Sequence, residues 1–150
     1  APPDPLPVVL MPNWCHNRVD LTHDDPEAVA ALVHIFENPQ PFAALMPEPD
    51  WRITPNDRGH LPGPRYGRWD CHRFPDGSPD ERWYAWRLAH WGVKWDVREV
   101  YTLDGDAYGF RVEFETPWGP PEGICELIRS RGFYVSWLWD EPGMGQAGYL

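Results

Sequence analysis

The sequence predicts an α+β domain of the ferredoxin-like (split βαβ) kind: an antiparallel sheet with helices on one face and an irregular insertion carrying an extra Trp-rich helix. Three observations predict it. The elements run strand, helix, long interruption, strand, strand, helix, strand, the order in which two βαβ units interlock. The hydrophobic period changes from about 3.6 to 2 in the second half of the chain. Between the halves, residues 82–96 (RWYAWRLAHWGVKWD) hold Trp83, Tyr84, Trp86, Trp91 and Trp95, a density that one helix cannot bury alone.

The first ten residues, APPDPLPVVL, form a proline-rich arm expected to be disordered, because proline fixes φ and removes a donor. A single domain is expected over 11–150, with an insertion at about 38–96. The alternating run WCHNRVDL from Trp14 reads as a half-buried strand. Asp25 is placed to cap the next helix, Pro26 takes its first position, and Val29, Leu32, Val33 and Phe36 make its apolar face.

Residues 38–80 carry a Pro or Gly every few positions and read as a long irregular loop that Phe42, Leu45, Met46 and Trp51 anchor to the core. Ser78 and Pro79 are then placed to restart a helix. On it Trp83, Trp86, Arg87 and His90 share one face, and Tyr84, Leu88 and Trp91 form a second stripe. Gly92 closes the helix in the left-handed conformation.

Two strands follow, VREVYTL (97–103) and YGFRVEFE (108–115), joined by Asp104-Gly105-Asp106 as a hairpin, with Tyr108, Phe110, Val112 and Phe114 on one face. EGICELIRSR is a helix that stops at Gly132. Residues 133–140 form a strand with Phe133, Val135, Trp137 and Trp139 on one side, and Gln146 to Leu150 return as an edge strand.

Composition bounds the function. A chain of 150 residues buries roughly two-thirds of its unfolded surface, enough for one core. A formal charge of −10 disfavours nucleic acid and anionic membranes as partners, since both reward clustered Lys and Arg, and it leaves a basic protein partner open. Three cysteines cannot all pair internally, and no segment reaches the roughly 18 apolar residues that span a bilayer, so a reduced, cytoplasmic setting is expected.

Met11-Pro12-Asn13-Trp14-Cys15-His16-Asn17 is followed by Trp83-Tyr84 and Trp86, running on to His90-Trp91-Gly92-Val93-Lys94-Trp95-Asp96. Phe114-Glu115-Thr116-Pro117-Trp118-Gly119-Pro120-Pro121 comes next, and then Asp140-Glu141-Pro142-Gly143. In this order the four landmarks resemble those of the YubB-type, Api-like family of phage and plasmid proteins, and they cover Met11 to the C-terminus. Val93, Pro117 and Gly119 depart from the family pattern, which usually has Thr, Ala and Ser there. The resemblance implies a ferredoxin-like domain without an established catalytic mechanism, belonging to a mobile element and possessing the capacity to block a host or defence factor in the host cytoplasm.

Site chemistry remains divided among three readings. The leading one is a non-enzymatic protein-binding surface of Trp83, Trp86, Arg87, His90, Trp91, Lys94, Trp95 and Trp118, residue types that dominate interface hot spots. Against it stands the reading that these rings simply fill the core. A second reading stacks a nucleotide or single strand on Trp91 and Trp118. In the third, Cys15-His16 and Cys71-His72 hold a metal, or Cys15 is a nucleophile, although adjacent Cys-His is not finger spacing. The chain carries no nucleotide or hydrolase motif, and neither metal nor cofactor is expected.

Overall fold

A computed structural model describes residues 12–63 and 72–150. The proline-rich arm and Cys71 lie outside the described residues. The elements are β1 (Trp14–Thr22), α1 (Pro26–Phe36), α2 (Pro41–Leu45), α3 (Arg82–His90), β2 (Val100–Leu103), β3 (Gly109–Pro117), α4 (Glu122–Ser130), β4 (Tyr134–Glu141) and β5 (Gln146–Tyr149). This is a mixed α+β arrangement. The five strands form one antiparallel sheet in the order β2-β3-β1-β4-β5, so β1 is central although it comes first in the chain.

Alternation decides which face is covered. Cys15, Asn17, Val19 and Leu21 of β1 are buried, as are Phe110, Val112 and Phe114 of β3 and Trp137 of β4. Of these, Val19, Leu21, Phe110, Val112, Phe114 and Trp137 join Val29, Leu32 and Phe36 of α1, Phe42 and Leu45 of α2, and Ile124, Cys125 and Ile128 of α4 in one hydrophobic cluster. Phe114 sits at its centre, with Phe36, Phe42 and Trp137 rings at centroid distances of 6.2, 5.8 and 5.7 Å. The opposite face of the sheet carries charged cross-strand pairs: Arg111 with Asp20 at 2.7 Å, Arg18 with Glu113 at 3.8 Å and His16 with Glu115 at 2.9 Å.

Local signals hold in several places. Asp25 Oδ1 accepts the Glu27 N–H at 2.9 Å and Pro26 opens α1. Gly92 closes α3 at φ +90°, a conformation that residues with a β-carbon rarely adopt. β5 returns beside β4.

Other expectations are corrected. Ser78 does not cap α3: its N–H and hydroxyl both bond Asp76, forming a separate turn, and the helix starts only at Arg82. Pairing in β2 begins at Val100 rather than 97, because Val97 is drawn into the core. Tyr108 precedes β3 and is 57% exposed instead of joining Phe110. The loop expected over 38–80 contains α2, whose first N–H groups are capped from a distance by Asp96. Among the described residues no helix is long and apolar enough to cross a membrane.

Candidate functional site

Helix α3 organises the insertion more than it displays it. Trp91 is completely buried, packs edge-on against Phe42 and Trp86, and donates its Nε1–H to the Met46 carbonyl at 2.9 Å. It therefore has no surface to offer a partner. Arg87 is held between the Trp83 and Trp91 rings, 5.1 and 4.9 Å from their centroids, while Nε and Nη2 bond Glu48 and Nη1 bonds the Lys94 carbonyl. With its donors occupied, Arg87 acts as a clamp between α3 and the loop that follows α2.

The other expected residues sit at the margins of this clamp. Trp86 stacks on His90 at 4.2 Å, and the His90 Nδ1 bonds the Trp86 carbonyl at 2.8 Å. Lys94 Nζ lies 4.3 Å from the Trp95 ring centroid, and Trp95 meets Trp14 at 6.5 Å. Trp118 is 54% exposed and held at φ +69°, a costly conformation for a bulky residue, with its N–H donated to Asn13. The eight residues thus do not form one continuous platform. Trp83, Trp86, Arg87, His90 and Trp91 cluster on α3, Lys94 and Trp95 adjoin Trp14, and Trp118 adjoins the start of β1.

A cavity of about 870 Å³ opens where the charged sheet face meets the segment after α3. Trp14, Trp95 and Tyr101 provide its aromatic walls, and His16, Arg18, Glu113, Glu115 and Asp140 line it from the sheet. Glu48, Arg87 and Asp96 border it from the insertion, and Arg98 and Glu99 from the approach to β2. Six carboxylates face three guanidinium groups, so the lining is net acidic. His16 lies directly between Glu115 and Asp140 in the strand register. The Tyr101 hydroxyl bonds Glu99 at 2.9 Å, and the carboxylate beside it raises the phenol's pKa.

Asp96 links this cavity to the fold. Burial raises its pKa, against the lowering effect of N–H bonds from Ala43, Phe42 and Val97 at 2.9, 3.0 and 2.8 Å. Its carboxylate holds the start of α2 in place from the segment after α3.

Sequence reasoning missed Trp14, Tyr101, Glu113, Glu115 and Asp140 as lining residues. Their signal was the polar half of each alternating strand. Which of them stand side by side depends on inter-strand register, which no single strand encodes.

The cysteine readings fare differently. Cys15 is fully buried, and burial pushes its thiol up to about 11, outweighing a hydrogen bond to Thr116. It is a protonated, packed side chain at neutral pH and not a poised nucleophile. His16 follows it on a strand and points to the opposite face, so the pair cannot close on one ion. His72 Nδ1 bonds the Gly63 carbonyl at 2.6 Å. Among the described residues no three His, Cys, Asp or Glu side chains are grouped to hold a metal.

The fold defines the class of protein: a mixed α+β chain with a five-stranded antiparallel sheet and, among the described residues, four helices. Among solved structures it is similar to the crystal structure of protein api92 from Yersinia pseudotuberculosis, described under the family model DUF1281, of unknown function. The TM-score is 0.51 at 10% identity, over 93% of each chain, a likeness of fold. No family model matches the sequence, and no curated protein matches it.

Proposed function

We propose that this chain is a non-catalytic binding domain of a phage or other mobile element, on a ferredoxin-like scaffold, acting in the host cytoplasm. It occupies a protein partner, a host or defence factor, through the groove between the charged sheet face and the segment after α3. The order β4-β1-β3-β2 of the interlocked strands supports the ferredoxin-like reading, with β5 as an addition. The four sequence landmarks, by their resemblance to the YubB-type, Api-like family, are what supports the mobile-element reading.

The carrying observation is the groove itself: about 870 Å³, within the size range of specific binding sites, walled by Trp14, Trp95 and Tyr101 where the charged sheet face meets the segment after α3. The site therefore shifts from the exposed side of α3 to its far end, because Trp91 and Arg87 are committed to packing.

One arrangement favours a catalytic reading. Glu115, His16 and Asp140 form a row across three strands, a pattern that suits proton transfer. Its His16 and Glu115 side chains are about half exposed, and the neighbouring thiol of Cys15 points to the other face. The row is therefore better read as part of the binding wall. The nucleotide reading keeps the exposed Trp118, but the acidic lining repels phosphate.

The test is affinity capture from host lysate with two paired variants. Tyr101→Ala/Asp140→Ala alters the groove, and Tyr84→Ala/Leu88→Ala alters the exposed stripe of α3. Loss of the captured protein with the groove variant alone is expected. Retention with that variant, or loss only with the α3 variant, overturns the reading.

A further inference from the structure

We infer that the groove receives an arginine side chain from a basic segment of the partner, with the guanidinium against the aromatic walls and at the carboxylates of Glu115 and Asp140 on either side of His16. The inference rests on the groove being the binding site and names the chemistry of its occupant. Asp140 is exposed, and its carboxylate has no hydrogen-bond or ion-pair partner among the described residues, although it lines the cavity. Glu99, on the same rim, bonds only the Tyr101 hydroxyl. These charges are unmatched in the free chain. A guanidinium supplies what they lack, a planar cation with several donors that also stacks on aromatic faces.

The chain makes the same arrangement internally twice. Arg82 lies 4.9 Å from the Trp51 ring and 5.1 Å from Phe74, and chelates Asp80 through Nε and Nη2 at 2.8 and 2.9 Å. Arg87 does so between Trp83 and Trp91 with Glu48. In the groove, Trp14, Trp95, Tyr101, Glu115 and Asp140 provide the aromatic and acidic parts of that arrangement, and of the arginines in the lining Arg87 is committed to Glu48 and Arg18 to Glu113. The Trp95 ring already attracts one cation, the Lys94 ammonium. An acidic or phosphate-bearing ligand would meet a lining in which carboxylates outnumber guanidinium groups two to one.

The experiment measures fluorescence anisotropy of a labelled peptide with three arginines spaced by glycines, alongside the same peptide with citrulline in their place. Citrulline keeps the shape and removes the charge. The full chain is compared with Glu115→Gln/Asp140→Asn, with Tyr101→Ala, and with Asp24→Asn/Glu126→Gln, which removes equal charge from exposed positions before α1 and on α4. The arginine peptide is expected to bind saturably and about tenfold tighter than the citrulline peptide. The groove charge variant is expected to weaken binding about tenfold, Tyr101→Ala several-fold, and the distant pair less than about twofold.

Equal weakening by the two charge variants would mean general attraction to an acidic chain and would overturn the inference, as would equal binding of the citrulline peptide or no saturable binding. If the arginine peptide fails while lysate capture still depends on Tyr101 and Asp140, this inference falls and the groove remains the binding site. If capture is also indifferent to them, both fall.

Discussion

The backbone of Gly123 passes so close to His90 that a β-carbon on Gly123 would lie 1.7 Å from the His90 carbonyl oxygen. At this contact the end of α3 meets the first turn of α4, and the Gly123 N–H bonds the Trp91 carbonyl at 3.1 Å. It brings the insertion onto the main sheet layer.

Gly123→Ala should therefore destabilise the chain by about 2–3 kcal/mol, since backbone atoms cannot yield as a flexible side chain would. In a free helix the same change would be favourable by about 1 kcal/mol, so the sign itself is diagnostic. Urea unfolding measures it. A neutral or stabilising result would mean that α3 does not dock on α4 in this way.

Trp91 separates packing from binding. Trp91→Phe leaves the Met46 carbonyl without its donor and should cost about 1–3 kcal/mol, and Trp91→Ala about 3–5 kcal/mol from the cavity. Tyr101→Ala, 60% exposed, should change stability by less than about 0.5 kcal/mol while reducing partner capture. A Trp91→Phe protein of unaltered stability would return Trp91 to the list of display residues.

Much of the fold was legible because local chemistry and tertiary demand agree. The Asp25-Pro26 start, the alternation in Phe110, Val112 and Phe114, and Gly92 each need only neighbouring residues to be read. Ser78 misled because Asp76, two residues earlier, draws its N–H and its hydroxyl into a separate turn, so the hydroxyl is turned to Asp76 and not to the helix N–H groups that a cap accepts. The site was less legible. Arg87 and Trp91 carry a hot-spot composition, but Glu48 and Met46, some forty residues away, commit them to the interior. Trp14, Glu115 and Asp140 became neighbours only when three strands set their register.

The thiol chemistry has a direct check. Cys15 and Cys125 are both buried, and burial raises both thiols above the ordinary range. In a Cys71→Ser protein, titration with a chromogenic disulfide should find no reactive thiol under native conditions and two after urea unfolding. Rapid native modification of Cys15 would reopen its reading as a nucleophile.

Two carboxylates should pull acid stability in opposite directions. Burial raises the Asp96 pKa, so above the ordinary carboxylate value, about 3.9, the native state holds a proton that the unfolded chain has released. Stability from this group therefore falls as pH rises through that window. The Arg82 hydrogen bonds lower the Asp80 pKa, so its contribution is complete above about 3.9 and is lost as pH falls through the depressed native value. Asp96→Asn should flatten the decline above the ordinary value. At neutral pH it should also cost about 1–2 kcal/mol, because an amide cannot accept the N–H bonds of both Phe42 and Ala43 through separate oxygens. Asp80→Asn should instead remove part of the loss on the acid side. Urea unfolding of each variant against the parent at a series of pH values resolves the two limbs. A change in the same limb for both variants would mean that Asp96 is not the buried cap holding α2 to the segment that frames the groove.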